Sequence, residues 1–397
     1  MVVTSFSLKK YLCHLSLKIM LPKIKPSILL VVLLFSQHSL GAVLPEDRAD
    51  ALYHYYDGGG VDIQGPSILV RKSIKDKVSI SANYYIDNVS SASIDVVTTA
   101  SPYTEKRVEK SVGVDYLYDK TVMSLNYTKS DENDFSARSA HFNVSQDFFG
   151  DLTTVNIGYS QGWDEVGKRD EPEFSEDTDR RHFRVGVSQI LTRNSLINLS
   201  WETITDEGFL NNPYRAVRYL DPTVGAGYSY QDERYPSTRT SDAVALRGMY
   251  YLPYRASLKL ELKQFSDTWG IEADTAEIAY VHPWKDNWIF DVKYRYYAQT
   301  HADFYSDLFS RIDAQNFLAR DKELSTFSSN TFGIGATYTF ELKEWDSLDR
   351  FSIHLFYDLI QFDYEDFRDL RAEVPVGEEP LYAYDANVIR FFFSMYY

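Results

Sequence analysis

Cysteine is nearly missing from this chain: of 397 residues only Cys13 carries a thiol, and it lies in an N-terminal stretch unlike the rest. Beyond that stretch there is no disulfide framework, no thiolate metal cluster and no cysteine nucleophile. Long apolar runs are missing too. The block ILLVVLLF, at 28–35, falls well short of the roughly 20 residues that a spanning helix needs. Positive charge is scarce: with the five lysines of residues 1–42 set aside, 36 basic residues face 57 acidic ones, a net charge of −21. Such a chain repels nucleic acid, which is excluded as a partner.

Residues 1–42 hold those five lysines and no acid. A basic stretch ending at Lys25, a short apolar core and small residues at Ser39, Gly41 and Ala42 make up a secretory signal peptide. The pattern predicts cleavage after Gly41 or Ala42, leaving 43–397 as a single domain. MLPKIKPSILLVVLLFSQHSLGA is a complete leader on its own, so Met20 competes with Met1 as the start. An uncleaved membrane anchor is the alternative.

Aromatics are abundant, with 31 tyrosines and 24 phenylalanines, and they follow a period of two. In WIFDVKYRYYAQ, Trp288, Phe290, Val292, Tyr294 and Tyr296 share one parity, while Asp291, Lys293 and Arg295 take the other. That is strand alternation. It recurs in VSISANYYID, TTVNIGYSQ, RHFRVGVS, LINLSWET, SLKLELKQ, NTFGIGATYTF and FSIHLFYDL. No segment of comparable length has a convincing helical period.

The connections alternate between short and long. IKDK, YDK, FFGD, LTRNS, YLPYR and HPWKDN are short, and ELKEWDSLD is a little longer. The stretches SSASIDVVTTASPYTEK, GWDEVGKRDEPEFSEDTD, NNPYRAVRYLDPTVGAGYSYQDERYPSTRT and THADFYSDLFSRIDAQNFLARDKEL are long and polar. Transmembrane barrels have this asymmetry, with tight periplasmic turns and longer extracellular loops. About sixteen strands fit between the turns, with fourteen as the alternative and the first hairpin as the least defined. About 355 residues then give roughly 22 per strand, enough for a tilted spanning strand of about 9–11 residues and its share of loop.

Aromatics cluster beside the short turns, at Tyr116 and Tyr118, Phe148 and Phe149, Tyr250, Tyr251 and Tyr254, and Trp284 and Trp288. Rings that are apolar at one end and wet at the other favour a membrane boundary. The chain ends NVIRFFFSMYY, in which Ile389, Phe391, Phe393, Met395 and Tyr397 share one parity, opposite Arg390 and Ser394. This predicts a membrane strand that closes the barrel against the first strand. Its alternating apolar residues and final aromatic resemble the signal read by the outer-membrane assembly machinery. An ordinary buried terminal strand is the plainer reading.

Lys259, Glu261, Lys263, Asp291, Lys293, Arg295 and Arg184 fall on the parity opposite the apolar residues of their strands. A lipid-facing Arg or Lys near the midplane costs about 2–4 kcal/mol, so these residues are expected to line the lumen. DGGG at 57–60 lacks the Lys-Ser/Thr of a phosphate loop and reads as a tight hairpin turn. The acidic segment with Asp164, Glu165, Asp170, Glu171, Glu173, Glu176, Asp177 and Asp179 lacks EF-hand spacing, and a solvated loop is favoured over a calcium site. His141, Asn143, Ser145 and Asp147 share an inward parity, but same-face neighbours stand roughly 7 Å apart, too far for a catalytic group on one strand. The six histidines after residue 42, His141 among them, have no metal-ligand spacing, and no cofactor is expected.

The stretch RADALYHYYDGGGVDIQGPSILVRKSIKDKVSISANYYIDNVSSASIDVVTTASPY, with GVDYLYDKT and SQDFFGDLTTVNIGYSQGWDEVG, resembles an uncharacterised domain-of-unknown-function family of Gram-negative bacteria, regarded as outer-membrane barrels. The resemblance covers nearly all of the chain after residue 42. It implies location and fold and transfers no catalytic or binding residue.

The expectation is an exported, all-β, transmembrane antiparallel up-and-down barrel in the outer membrane, surrounded by lipid and lipopolysaccharide and inserted by the barrel-assembly machinery. A pore or transporter for small polar solutes is the leading function, and no enzyme activity is expected. The alternatives are a scaffold barrel of an envelope complex, its lumen filled by the 303–324 loop and its partner proteins unknown, and, behind it, an outer-membrane hydrolase. A soluble β-protein is the alternative fold.

Overall fold

The computed structural model describes residues 42–91, 103–169, 171–341 and 348–397. The leader, most of the SSASIDVVTTASPYTEK loop and most of the ELKEWDSLD connection lie outside the described residues. The strands are β1 (Arg48–Gly58), β2 (Val61–Ile74), β3 (Val78–Ser91), β4 (Tyr103–Tyr118), β5 (Thr121–Asp131), β6 (Phe135–Phe148), β7 (Thr153–Gly167), β8 (Ser175–Thr192) and β9 (Ser195–Gly208). They continue with β10 (Ala216–Leu220), β11 (Tyr228–Asp232), β12 (Thr238–Tyr251), β13 (Ser257–Asp267), β14 (Glu272–Trp284), β15 (Trp288–Gln299), β16 (Phe327–Glu341), β17 (Arg350–Arg368) and β18 (Leu381–Tyr396).

Sixteen of these strands form one closed antiparallel barrel, in which each strand pairs with its sequence neighbours and β12 follows β9. Closure comes from β1 and β18, paired from Arg48 opposite Tyr396 to Gly58 opposite Ala386. An open edge would leave a row of unpaired backbone groups, and closure removes it. The aromatic terminus is held: the Tyr397 hydroxyl donates to the Arg71 carbonyl at 2.9 Å, and the Lys72 ammonium lies 4.9 Å from the ring centre. The first hairpin turns at Gly59 and Gly60, whose φ angles of 60° and 80° suit glycine.

The apolar parity of each strand points away from the protein. Val292 is 55% exposed, Leu125 57% and Ile334 60%. Large aliphatic side chains so exposed around the barrel need a cover, and hydrocarbon supplies it. Where the strands meet the short turns, outer-face aromatics touch in sequence from β14 to β18. The ring contacts run Trp284–Phe290, Phe290–Trp288, Trp288–Tyr338, Tyr338–Phe340, Phe340–Phe351 and Phe351–Phe393, with centroids 4.8–6.2 Å apart. Tyr118, Phe149 and Tyr254 extend the exposed aromatics on the same end of the barrel.

Two loop expectations need correction. The β7–β8 segment is mostly ladder: β7 runs to Gly167 and β8 starts at Ser175, with Glu165 opposite Asp177. These strand ends are mostly polar, with Trp163 and Val166 as the exceptions, so the apolar alternation fades while the hydrogen-bonded ladder continues. The long β9–β12 connection contains a separate two-stranded hairpin, β10–β11. Among the described residues no helix is long and apolar enough to cross a membrane, which says nothing about strands.

Candidate functional site

The inner wall is built from ion pairs that lie over small residues. On β15, Lys293 stands opposite Gly333 of β16, which in turn stands opposite Asp358 of β17. Gly333 has no Cβ, and one added there would lie 2.4 Å from the Lys293 Cε. The lysine therefore crosses β16 and reaches Asp358 at 3.0 Å, and Arg390 of β18 meets the other carboxylate oxygen at 2.8 Å. In the same way, Lys263 of β13 reaches past β12, where Ala243 and Ala245 are small and buried, to Glu202 of β9 at 2.9 Å. Glu261 takes Arg247 at 2.6 Å, and Arg71 takes Asp115 at 2.6 Å.

Of the seven residues expected in the lumen, Lys263, Lys293 and Glu261 are thus paired across the wall. Lys259, Asp291, Arg295 and Arg184 share their inward parity, and the side chain of none of these four makes a hydrogen bond or ion pair to another described residue. Sequence parity missed Phe392. It points inward between two outward phenylalanines and stacks on His354 with centroids 4.0 Å apart.

The barrel mouth opposite the short turns carries a folded cap. Ala302, Phe304, Tyr305, Ala319 and Leu324, from the β15–β16 connection, form one buried cluster with Trp269, Ile271, Tyr364, Phe367 and Tyr382. Phe265 and Tyr384, inward-facing wall residues, pack against it, which places the loop in the mouth. A second cluster joins Val217 of β10 to Phe309 and Leu318.

Buried charges tie three connections together. The Arg218 guanidinium donates to Asp307 at 2.5 Å and to Glu379 at 2.6 and 3.2 Å. Arg320 donates to the other Asp307 oxygen at 2.9 Å, and its backbone N–H donates to Glu233 at 2.7 Å. Burial works against the charge on Glu379, but the bonds from Arg218 and the Gly377 N–H hold its carboxyl below the ordinary range. Glu233 goes the other way. Burial, then the nearby Asp321 carboxylate, push it up to about 7. No sequence periodicity marked these residues. The available signal was the density of apolar side chains inside otherwise polar loops, such as Phe304, Tyr305, Phe309 and Leu318.

Below the cap lies a cavity of about 490 Å³. Arg180, Arg239, Lys263 and Arg295 line its wall side, and Trp269, Tyr235, Leu210 and Leu324 line its cap side. Asp206, Asp321 and Glu323 also face it.

Residues 94–352 match the family described as "Protein of unknown function (DUF3570)". The chain belongs to this family. No curated protein matches the sequence. Among solved structures, a "Bacterial polysaccharide outer membrane secretin" aligns at TM-score 0.48 and 10% identity, over 89% of this chain and 100% of the other. A Pseudomonas aeruginosa FadL homologue aligns at 0.43 and 9%, over 89% and 90%. The outer-membrane expressed OmpT of Vibrio cholerae aligns at 0.41 and 10%, over 90% and 100%.

On β6 of this DUF3570 chain, the four residues of shared inward parity form no hydrogen-bonded set with one another among the described residues. The side chains of His141 and Ser145 make no hydrogen bond to another described residue, and the Asp147 carboxylate accepts from the Thr154 hydroxyl at 2.6 Å. Among the described residues, no three His, Cys, Asp or Glu side chains converge as metal ligands. Asp170 of the acidic segment lies outside them. A polar group that sequence reading missed sits on β1, β3 and β4: His54 contacts Asp87 at 2.6 Å and stacks on Tyr85, and Arg107 reaches Asp87 at 3.2 Å. It ties three strands together across the inner wall.

Proposed function

We propose that the protein is an outer-membrane channel of a Gram-negative cell, passing small polar solutes through a lumen whose outer mouth is restricted by a folded cap. One observation carries this reading. An inner wall of paired charges of both signs leads to a cavity of about 490 Å³ beneath the cap. A wall of mixed sign solvates polar molecules without excluding either charge, and a sixteen-strand barrel has room for an aqueous path. The exposed aliphatic band and the aromatic girdle suit a bilayer with lipopolysaccharide outside. The outward Ile389, Phe391, Phe393, Met395 and Tyr397 suit recognition by the assembly machinery.

Recording from the full chain in planar bilayers tests the proposal. Small, fluctuating conductance steps are expected, and removal of residues 303–324 should enlarge them. Silence from both forms, folded and heat-modifiable, would replace the channel with a scaffold. The burial of the 303–324 loop in the mouth favours that second reading. Recovery of the chain in the periplasmic fraction would overturn both.

A further inference from the structure

We infer that the cavity beneath the cap binds a small organic monocarboxylate with an aromatic or aliphatic body, the carboxylate on Arg295 and the body against Trp269 and Phe265. This rests on the channel reading above and names its solute class.

The charge balance of the cavity selects the anion. Three of its four wall cations are engaged: Arg180 with Asp206 at 2.6 Å, Arg239 with Asp267 at 2.6 Å, and Lys263 with Glu202 at 2.9 Å. Arg295 is exposed to the lumen and its side chain makes no hydrogen bond or ion pair to another described residue, although Glu277 is its register partner on β14. An unpaired guanidinium is a planar two-pronged donor that matches a carboxylate or a phosphate. The same cavity is lined by Asp206, Asp321 and Glu323, which repel a dianion more strongly than a monoanion. With Asp206 held by Arg180, Asp321 by Arg215 and Glu277 opposite Arg295, the site offers one guanidinium without a side-chain partner in surroundings that are otherwise balanced or acidic, which favours a carboxylate over a phosphate.

The cap supplies the rest of the ligand's complement. Trp269 is 5% exposed, Ile271 3% and Leu324 6%, and all three line the cavity together with Phe265. Arg239 lies 4.6 Å from the centre of the Trp269 ring, which fixes its orientation. The lining is mixed: charged side chains from the wall meet an apolar patch of Phe265, Trp269, Ile271 and Leu324, in a cavity whose size is usual for a small-molecule site, about 300–1,000 Å³.

The test is calorimetry on the full chain in detergent, with 2-naphthoate, its neutral analogue 2-naphthalenemethanol, acetate and inorganic phosphate as probes. Saturable binding of naphthoate, weakened on the order of tenfold to a hundredfold by Arg295→Gln, supports the assignment. So does a comparable loss with Trp269→Leu, which serves where the first variant fails to fold. Equal binding of naphthoate and the neutral analogue would overturn it as mere partitioning, and phosphate binding as tight as naphthoate would overturn the ligand class. A barrel that conducts without binding naphthoate refutes the ligand alone. One that binds it but stays silent in bilayers upholds the site and refutes the channel.

Discussion

Arg218 and Glu379 lie 161 residues apart in the chain and meet in a two-pronged ion pair, with Nη1 to Oε1 at 2.6 Å and Nη2 to Oε2 at 3.2 Å. Both side chains are nearly inaccessible, the arginine at 1% and the glutamate at 5% exposure. A pair this deep gives little net stability over an apolar isostere, but removing one partner strands the other charge, at a cost of about 3–5 kcal/mol. Arg218→Met leaves both Asp307 and Glu379 without their shared cation. The cap should loosen while the wall stays closed. Limited proteolysis of folded protein should cut the 209–237 and 300–326 connections far faster than in wild type, with heat-modifiability of the barrel unchanged.

Glu233 and Glu379 give the cap a pH dependence with opposite signs. The folded value of Glu233 is raised, so its contribution to docking is complete below its ordinary value of 4.5 and is lost as pH rises to about 7. At about 1.4 kcal/mol per unit this amounts to roughly 3 kcal/mol. The folded value of Glu379 is depressed, so its contribution is present above 4.5 and is lost as pH falls below that. The charged groups facing Glu233 are Asp321, Arg215 and Arg320, with the Tyr235 hydroxyl at 2.6 Å. Docking should be tightest in mildly acidic medium. Amide exchange in the cap should quicken from pH 5 to pH 7.5 beyond the intrinsic rate, and Glu233→Gln should abolish that excess.

The wall was readable in the sequence because each wall residue has one of only two choices, lipid or lumen, and the period of two reports the choice directly. Asp291, Lys293 and Arg295 could be placed from β15 alone. The cap was not readable for the opposite reason. Phe304, Phe309 and Leu318 are buried by partners from β10, β13, β17 and β18, and no local period records such contacts. Arg218, Asp307 and Glu379 looked like loop charges until the topology brought them together. Phe392 breaks the pattern: in an unbroken FFF run the parity of the outer two rings is clear, while the inner one is explained by its stack on His354.

Gly65 tests how closely the wall is packed. A Cβ added there would lie 1.8 Å from the Ile86 carbonyl oxygen of the paired strand. That atom belongs to the backbone and cannot swing aside, so β2 and β3 would have to separate. Overpacking of this kind costs about 1–3 kcal/mol, and more where backbone must move. Gly65→Ala should lower the urea midpoint of the lipid-embedded barrel. Gly225→Ala, with no atom near its added Cβ and no positive φ, controls for substitution in an exposed turn.

The claim that hydrocarbon covers the outer face can be tested with two adjacent residues. Val292 points outward and is 55% exposed, whereas Lys293 points inward and holds Asp358. If bilayer surrounds the barrel, Val292→Arg puts a cation in lipid and should cost about 2–4 kcal/mol near the midplane. In detergent-free water the same change on a soluble barrel would be neutral or favourable, because it replaces an exposed apolar side chain with a solvated one. Lys293→Val should give the opposite pattern: lipid facing is unchanged, and the loss is limited to one cation beside Asp358, which keeps Arg390 at 2.8 Å. Reversible urea unfolding in lipid vesicles reads both variants. A destabilising Val292→Arg is the expected outcome, and an unchanged or raised midpoint would mean that water, or another protein, lies against that face.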